Sequence, residues 1–405
     1  MTTLRLKGFN GIKEVGGAQK LQFYNHPITH FNFVDFRMST SIMLTFAPVA
    51  TNLKSGWIID GRFLITDDGV ALGEGFNWHK DNIGYVMTAQ NEKLRVKANS
   101  KNLSLTGFTE GNPSYDFVRE IDDYEVENSI FLSGFNNLSH FMMENAPKTL
   151  LFSALLSNFS NIKTVISNDL VPKKWIDYSI RTADSIHGSD SDLTIKLVNS
   201  NKAVRFKNII VISSSTYREF DERLNMSRDF VKNFGKQMCK NAFSSSNQDS
   251  YILYMSRKNA SHRRTLNQQN LIKIVQKIFP DLKLILEHNI HLLTMDDQAK
   301  LIYNASLIIE EGGGSTAFVN NLIGENVPCV IIQTAQRINQ AGRLYLAGLD
   351  KYAAWVFGEP IGELSKSAVI DNDILVDENN FETLLIRLSL FIENKMPMPK
   401  IDTGI

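Results

Sequence analysis

Three separate segments of the chain carry residue types suited to group-transfer chemistry, and the first pairs a histidine with a carboxylate. His140 and Glu144 stand four residues apart in a stretch with helical spacing, so both side chains share one helix face. A carboxylate beside a histidine fixes its tautomer and stabilises the imidazolium that forms when the ring takes a proton. The pair predicts a general base, and a surface pair on a capped helix start is the alternative.

The second segment, residues 256–264, is rich in cations and directly follows a predicted strand. Arg257, Arg263 and Arg264 are its candidate binding residues. A guanidinium is a planar fork that matches two phosphate oxygens at once. We therefore predict that this loop binds a pyrophosphate, and an exposed charged loop is the alternative.

The third segment is a glycine-rich turn between a predicted strand and a predicted helix. It consists of Gly312, Gly313, Gly314, Ser315 and Thr316. Glycines let the backbone approach a ligand closely, and the N–H groups at a helix start attract phosphate. The turn lacks the Gly-Lys-Ser/Thr of a P-loop and the spacing of a dinucleotide fingerprint. A phosphate cradle is the functional interpretation, and a tight strand-to-helix connection is the structural one.

Two carboxylates precede this turn. Glu310 and Glu311 end the strand side by side, and like charges raise the pKa of one partner. If Glu310 faces the sheet, Glu311 points toward a ligand and can hold a hydroxyl. An exposed acidic strand end is the alternative.

Composition excludes several classes of protein. The chain has 405 residues with 43 basic and 43 acidic side chains, so no net charge attracts nucleic acid. Its two cysteines form neither a disulfide framework nor a metal cluster, and we predict no metal site. Neither a signal peptide nor an apolar stretch of about 20 residues is evident, which predicts a cytoplasmic protein without a membrane span. Peripheral membrane association and oligomeric state are left open.

The pattern of elements predicts an α/β fold. Apolar strands alternate with helices after a β-rich start, which indicates two Rossmann-like domains facing a cleft, with a β-rich N-terminal prelude. A polar, serine-rich stretch at residues 243–250 marks the main boundary. The predicted divisions are a β-rich N-terminal segment 1–90, Rossmann-like domains 91–245 and 246–375, and a C-terminal helix and tail 376–405.

Individual elements follow from the same rules. Residues 40–46 predict a strand, and a hairpin with an Asp-Gly turn begins at Trp57. Helical spacing predicts helices over residues 140–159, 171–185, 218–242 and 382–394.

Taken in this order, the three segments resemble glycosyltransferase family 61. The family's Asn-x-x-His-aromatic-x-x-Glu/Asp-x-x-Pro-Arg pattern is matched by residues 137–148, and its Ser-Arg strand end with paired arginines by residues 254–264. Its glycine turn is matched by residues 311–317. The chain departs from the family pattern at Lys148, Glu311 and Ala317.

The resemblance implies a divergent bacterial enzyme of GT-B architecture that works in capsule or lipopolysaccharide synthesis. Such an enzyme moves a sugar from a nucleotide sugar to a glycan or glycolipid acceptor, with inversion and without a metal or other cofactor. His140 would be the base, oriented by Glu144, and Glu311 would hold a donor hydroxyl or act as the base. The arginines and the glycine turn of residues 246–375 would bind the nucleotide sugar, and residues 91–245 the acceptor.

Two other classes remain open. A non-catalytic nucleotide-sugar or glycan-binding subunit of a polysaccharide assembly complex fits the altered glycine turn. An epimerase or phosphotransferase is a further reading, although no nicotinamide fingerprint supports an epimerase.

Overall fold

A computed structural model of the chain shows its architecture. The residues that the structure describes are 2–4, 50–67, 71–72, 85–98, 116–134, 136–152, 155–156, 159–187, 192–212, 216–218, 224–226, 228–243, 250–313, 316–323, 327–334, 353–362 and 372–392. Gly314, Ser315 and the strand predicted at residues 40–46 lie outside these ranges.

The chain divides into two compact units. The first consists chiefly of Thr45–Glu219 and the second chiefly of Gly235–Ile405. Of the predicted boundary at residues 243–250, only the two end residues are described. Each unit has its own sheet, and each carries part of the predicted site.

The N-terminal part of the first unit forms strands. These are β1 (Thr2–Leu4), β2 (Ala50–Ile59), β3 (Phe63–Thr66), β4 (Ala71–Leu72), β5 (Tyr85–Gln90) and β6 (Lys93–Ala98). The predicted hairpin is confirmed, because β2 and β3 pair antiparallel around a turn in which Asp60 and Gly61 have φ values of 55° and 64°. Asp-Gly tolerates this left-handed backbone, which explains the turn.

The remaining strands of this sheet are mostly parallel. β7 (Asp116–Phe131) pairs in parallel with β10 (Lys202–Ile212), and β8 (Thr164–Asn168) and β9 (Thr194–Val198) continue the parallel set beyond β7. β2 pairs antiparallel with β10, so the N-terminal strands belong to the same ten-stranded sheet. Strands β7 to β10 of the predicted Rossmann-like part of this unit are therefore parallel, and the antiparallel strands of the β-rich prelude extend the same sheet.

Between β7 and β8 the chain forms a helix whose geometry changes twice. One α-helical turn, α1 (Leu138–His140), leads into a π-helical turn (Phe141–Asn145) and then a 3-10 segment (Ala146–Leu151). The regular helix predicted from residue 140 is wrong here, because Pro147 has no N–H to donate to the carbonyl four residues earlier. π-helical turns are often found at functional sites.

Two longer helices follow in sequence. α2 (Lys173–His187) confirms the helix predicted at residues 171–185. α3 (Arg228–Ala242) is shorter than predicted, because its expected first part includes the paired short strands β11 (Thr216–Arg218) and β12 (Leu224–Met226). Cross-strand pairing here outweighs the local helical spacing.

The second unit contains a six-stranded sheet. Its strands are β13 (Tyr251–Met255), β14 (Lys283–Glu287), β15 (Leu307–Glu311), β16 (Cys329–Thr334), β17 (Ala353–Ile361) and β18 (Asp373–Val376), in the order β14-β13-β15-β16-β17-β18. All neighbours are parallel except β17 and β18. The parallel sheet is confirmed here, whereas β17 and β18 were not predicted. The strand order reverses between β13 and β15, which is where open α/β sheets bind ligands.

Helices of the second unit are α4 (Gln268–Ile278), α5 (Met295–Tyr303), α6 (Thr316–Leu322) and α7 (Glu378–Ile392). Leu271 and Val275 of α4 and Phe381 and Leu385 of α7 are buried in one apolar cluster with the strands. Their spacing of four residues brings each pair onto one helix face, which is why these helices cover the sheet. No helix in the described part of the chain is both long enough and apolar enough to cross a membrane.

Candidate functional site

The cationic loop and the glycine-rich turn of the second unit leave the sheet side by side. β13 and β15 are neighbours, with Met255 opposite Glu310. Adjacent strands lie about 5 Å apart, so the residues that follow them meet at one edge of the sheet. Arg257 and Glu311 are 54 residues apart in the sequence, and the strand order β14-β13-β15 brings them together at the topological reversal.

Glu311 is the centre of a buried hydrogen-bond network at this edge. Only 3% of it is exposed, and its Oε2 accepts a 2.7 Å hydrogen bond from the backbone N–H of Arg257. Its Oε1 accepts hydrogen bonds from the Tyr254 hydroxyl at 3.0 Å and the Gln268 amide at 2.6 Å. Burial raises the pKa of Glu311 above its ordinary value of 4.5, and the hydrogen bonds oppose that rise.

The network joins two strands, one helix and the cationic loop. Tyr254 lies on β13, Glu311 on β15 and Gln268 at the start of α4, and Gln268 also donates to Ser256 Oγ at 2.5 Å. Burial raises the pKa of Tyr254 well above its ordinary value of 10, so it donates as a neutral phenol. Both oxygens of Glu311 accept hydrogen bonds from the protein itself, and this carboxylate therefore holds the loop that begins at Arg257.

The Arg257 guanidinium lies against the glycine-rich turn. A Cβ placed on Gly313 would be 2.7 Å from Nη1 of Arg257, closer than real Cβ contacts. Nη2 of Arg257 donates to the His262 carbonyl at 3.3 Å. Glycine at position 313 therefore leaves room for the Arg257 guanidinium against the turn, and a guanidinium in that place suits a bound phosphate.

Other hydrogen bonds shape the turn. Gly312 N–H donates to the Ile332 carbonyl at 2.8 Å, which continues the β15–β16 ladder. The Thr316 hydroxyl lies 2.5 Å from Glu310 Oε1 and 3.0 Å from the Gly313 carbonyl oxygen. Glu310 is fully buried, so the interpretation of this strand end as an exposed acidic pair is wrong. Thr316, the first residue of α6, thus connects the helix to both Glu310 and Gly313 on the other side of the turn.

The paired arginines differ in their surroundings. Arg264 donates to Asp373 from its backbone N–H at 2.8 Å, from Nε at 2.9 Å and from Nη2 at 2.5 Å. These contacts tie the loop to β18 and hold the pKa of Asp373 below its ordinary value of 3.8. Arg263 has a positive φ of 60° and lines a small cavity beside Gly312. Of the two, Arg263 is the one placed beside the turn.

The first unit carries the predicted histidine pair. His140 Nδ1 and Glu144 Oε1 are 2.8 Å apart, with 39% of the His140 side chain and 15% of the Glu144 side chain exposed. The Asn137 side chain caps the helix by accepting from His140 N–H at 3.3 Å. The four-residue spacing of His140 and Glu144 therefore brings their side chains into contact, as predicted. Because Glu144 engages Nδ1, Nε2 is the ring nitrogen suited to take a substrate proton.

A buried lysine stabilises the segment that carries this pair. Lys148 is 1% exposed, and its ammonium donates to Asn145 Oδ1 at 2.8 Å and to the Leu132 carbonyl at 3.3 Å. Leu132 directly follows β7, so Lys148 connects the π-helical turn with the end of that strand. The departure from the family's arginine therefore keeps a cation at this position.

Sequence reasoning missed three residues that organise the second-unit site. Tyr254 and Gln268 hold Glu311 across 57 and 43 residues of sequence, and Asp373 holds Arg264 across 109. The tyrosine at the end of an apolar strand was the one local signal, since a buried phenol needs a hydrogen-bond partner. Within the described residues no group of three or more His, Cys, Asp or Glu side chains is placed to hold a metal ion.

Comparisons with known proteins add to this geometry. No curated protein sequence matches the chain. Among solved structures, one similar chain is the dodecameric iron-containing heptosyltransferase TibC in complex with ADP-D-beta-D-heptose, with 10% identity, a TM-score of 0.31, and coverage of 92% of this chain and 98% of that chain. At that TM-score the likeness carries no argument about fold or substrate.

A comparison with protein-family models matches the part of the chain that contains the site segments. The family model described as Glycosyltransferase 61 matches residues 138–319. This range begins two residues before His140 and ends after the glycine-rich turn, so it contains every predicted site residue of both units. Residues 138–319, a little under half of the chain, therefore match a glycosyltransferase family 61 domain, which supports membership of that family and a glycosyltransferase activity.

Proposed function

We propose that the chain moves a sugar from a nucleotide sugar to a glycan or glycolipid acceptor, with inversion at the anomeric carbon and without a metal ion. The observation that carries this proposal is the Arg257 guanidinium lying against Gly313 at the sheet reversal. An arginine that lies against a glycine turn offers a guanidinium, whose geometry matches two oxygens of a diphosphate. Arg263 lies next to the same turn and adds a second cation.

The reaction assigns a separate task to each unit. An acceptor hydroxyl attacks the anomeric carbon and gives its proton to Nε2 of His140, while Glu144 stabilises the resulting imidazolium. The bond from the anomeric carbon to the phosphate oxygen breaks, and its electron pair leaves with the nucleoside diphosphate. Arg257 stabilises that developing charge, which is the task a metal has in other transferases.

We assign Glu311 a positioning role in place of the catalytic role expected from the sequence. Its oxygens accept hydrogen bonds from Tyr254, Gln268 and the backbone of Arg257. A base must reach a substrate proton, and a carboxylate that is 3% exposed and committed to three donors is poorly suited to that task. Glu311 acts by fixing the start of the arginine loop.

The finer assignments belong to the same proposal. The GT-B-like architecture, the acceptor role of residues 91–245 and the donor role of residues 246–375 follow from the family resemblance. A cytoplasmic location and a place in capsule or lipopolysaccharide synthesis are also part of the proposal. The absence of any cofactor other than the donor substrate is also part of the proposal.

A thermal-shift panel of nucleoside diphosphates and nucleotide sugars tests the donor site. A ligand at roughly 100 times its dissociation constant stabilises a protein by about 2.7 kcal/mol. We expect one nucleotide series to raise the melting temperature equally with and without EDTA, and Arg257→Ala to abolish the shift. Lys258→Ala, an exposed neighbour in the same loop, is the matched control. If no nucleotide shifts the unmodified protein, the proposal is wrong.

A non-catalytic binding subunit is the second candidate, because Glu311 stands where the family has a histidine. A measurement of donor turnover distinguishes the enzyme from the binding subunit. Release of the nucleoside diphosphate from a bound nucleotide sugar, lost in His140→Ala, supports the enzyme. Binding without release in the presence of acceptor glycans supports the subunit.

A further inference from the structure

His262 contacts both of the arginines that lie beside the glycine-rich turn. Its carbonyl oxygen accepts a 3.3 Å hydrogen bond from Nη2 of Arg257. Nε2 of its ring lies 3.2 Å from Nη2 of Arg263, and Nδ1 lies 2.7 Å from Oγ of Ser261. One residue of the cationic loop therefore connects the two guanidinium groups.

The contact with Arg263 defines the protonation state of the His262 ring. A guanidinium stays protonated in proteins and offers donors only, so Nε2 of His262 is the acceptor. In a neutral imidazole the other nitrogen then carries the proton, and Nδ1 donates to Oγ of Ser261. The observed contacts therefore require a neutral ring. A protonated ring has donors on both nitrogens, so it would lose this hydrogen bond and repel the guanidinium.

The backbone of the loop is anchored independently of this ring. Glu311 holds the loop at Arg257, and Asp373 accepts a hydrogen bond from the backbone N–H of Arg264. Neither anchor contacts the side chain of Arg263 through the bonds described here. The His262 ring supplies that contact, so its effect falls on where one guanidinium lies and not on where the loop runs.

The other charged groups around His262 keep their charge in the neutral pH range. Asp373 faces the loop from β18, and its pKa is lowered below 3.8 by its hydrogen bonds with Arg264 and, to a smaller extent, by the charge of His262. The guanidinium groups of Arg257 and Arg263 stay protonated. Histidine is the side chain that changes charge between about pH 5 and 8. Of these groups, His262 is therefore the one that responds to pH in that interval.

We propose that neutral His262 is a positioning residue of the donor site, whose Nε2 holds the Arg263 guanidinium beside the glycine-rich turn for contact with the diphosphate. The inference rests on the proposed nucleotide-sugar function and deepens it, because it assigns the pH dependence of donor binding to one side chain. Protonation of His262 releases Arg263, and the donor then binds more weakly.

The test measures dissociation constants of UDP-, GDP- and ADP-sugars at about pH 5.5 and about pH 8, on either side of the histidine titration. The diphosphate of a nucleotide sugar does not titrate in this interval, so a change in affinity comes from the protein. The proteins compared are the unmodified chain, His262→Gln and His262→Leu. Glutamine keeps an accepting oxygen and does not change charge, whereas leucine has no acceptor. His291→Gln, at an exposed histidine after β14, is the matched control.

We expect the unmodified protein and the control to bind about two- to tenfold more weakly at the lower pH, the size of one lost hydrogen bond. His262→Gln should bind like the unmodified protein at the higher pH and should not weaken at the lower one. His262→Leu should bind weakly at both. At the higher pH, the losses caused by His262→Leu and Arg263→Ala should be far from additive. A purely structural role of His262 would not produce a pH profile that glutamine flattens.

Three results would overturn the assignment while leaving the diphosphate site at Arg257 intact. They are an affinity of the unmodified protein that does not change with pH, a pH dependence that persists in His262→Gln, and a stronger affinity at the lower pH. The last would mean that the imidazolium itself contacts the phosphates. If the unmodified protein binds none of the probes at either pH, the nucleotide-sugar proposal fails and the role of His262 fails with it. Should His262→Leu not fold, His262→Gln decides, since its pH profile alone distinguishes these results.

Discussion

The backbone N–H of Arg257 donates a 2.7 Å hydrogen bond to Oε2 of Glu311. This bond joins Arg257 of the cationic loop to the last residue of β15, so Glu311 holds the loop beside the start of the glycine-rich turn. Because Glu311 fixes the position of the Arg257 backbone, it also fixes the point from which the Arg257 side chain extends. The network around Glu311 thus acts on the ligand through Arg257.

Glu311→Gln should lower both stability and donor affinity. Glutamine has one acceptor oxygen where the carboxylate has two, so at least one buried donor among Arg257 N–H, Tyr254 and Gln268 loses its partner. Such a loss costs about 1–3 kcal/mol of unfolding free energy. Urea unfolding and nucleotide titration measure both effects, with the exposed Glu359→Gln as the control. A kcat loss of about 10²–10⁴ at saturating donor would instead make Glu311 the base.

The stability of the protein relative to Glu311→Gln should fall as pH rises. Burial raises the pKa of Glu311 above 4.5 in the folded state, so the folded protein binds this proton more tightly than the unfolded chain. Stability falls wherever the folded state binds more protons, which here begins near pH 4.5 and ends above the raised folded pKa. Urea unfolding across this interval checks the sign. A relative stability that increases with pH would contradict the raised pKa.

Gly313→Ala should weaken donor binding through Arg257. The added methyl group would lie 2.7 Å from Nη1, and the flexible end of the arginine must move away. We expect binding about tenfold weaker, the size of one lost hydrogen bond, with little change in melting temperature. In a double-mutant cycle with Arg257→Ala the two losses should be far from additive. Additive losses would mean that the two residues act separately.

His140→Ala should reduce kcat by about 10²–10⁴ if His140 is the base. Glu144→Gln should have a smaller effect, because it removes the charge that stabilises the imidazolium and leaves the ring in place. His140 is 39% exposed, so its loss should change the unfolding free energy little. Single-turnover transfer measures the step, and His291→Ala, also exposed, is the control. A loss confined to KM would assign His140 to acceptor binding.

Arg264→Ala and Asp373→Asn should affect stability slightly and donor binding hardly at all. Arg264 is 47% exposed, so water screens its pair with Asp373, and each change should lower the unfolding free energy only slightly. The pKa of Asp373 is lowered below 3.8, so this contribution is present above pH 3.8 and is lost as pH falls through the lowered value. Unfolding at neutral and acid pH tests this. Donor affinity that falls as far as in Arg257→Ala would place Arg264 in the binding site.

Local patterns in the sequence predicted the parts of the site that depend on nearby residues. Four-residue spacing predicted the contact between His140 and Glu144, and the apolar runs predicted the strands β13 and β15 that precede the cationic loop and the glycine-rich turn. The Asp60-Gly61 turn followed from backbone preference alone. These features were predictable because the interactions that create them lie within a few residues of one another.

Other local rules failed where long-range contacts compete with them. The regular helix predicted after residue 140 is interrupted at Pro147, which has no N–H to donate to the preceding turn. The early part of the predicted helix at residues 218–242 instead contains the strand pair β11 and β12. β17 and β18 were not predicted, because no local sequence pattern distinguished these strands from loops.

The amino-acid sequence by itself determined the residue types of the site, their order and their resemblance to glycosyltransferase family 61. Only the tertiary structure decided which of them act together. The parallel order of β13 and β15 places Arg257 against Gly313, and burial commits Glu311 to Tyr254 and Gln268. Those contacts join residues more than 40 positions apart, and only the pairing of strands in the folded sheet brings such residues into contact.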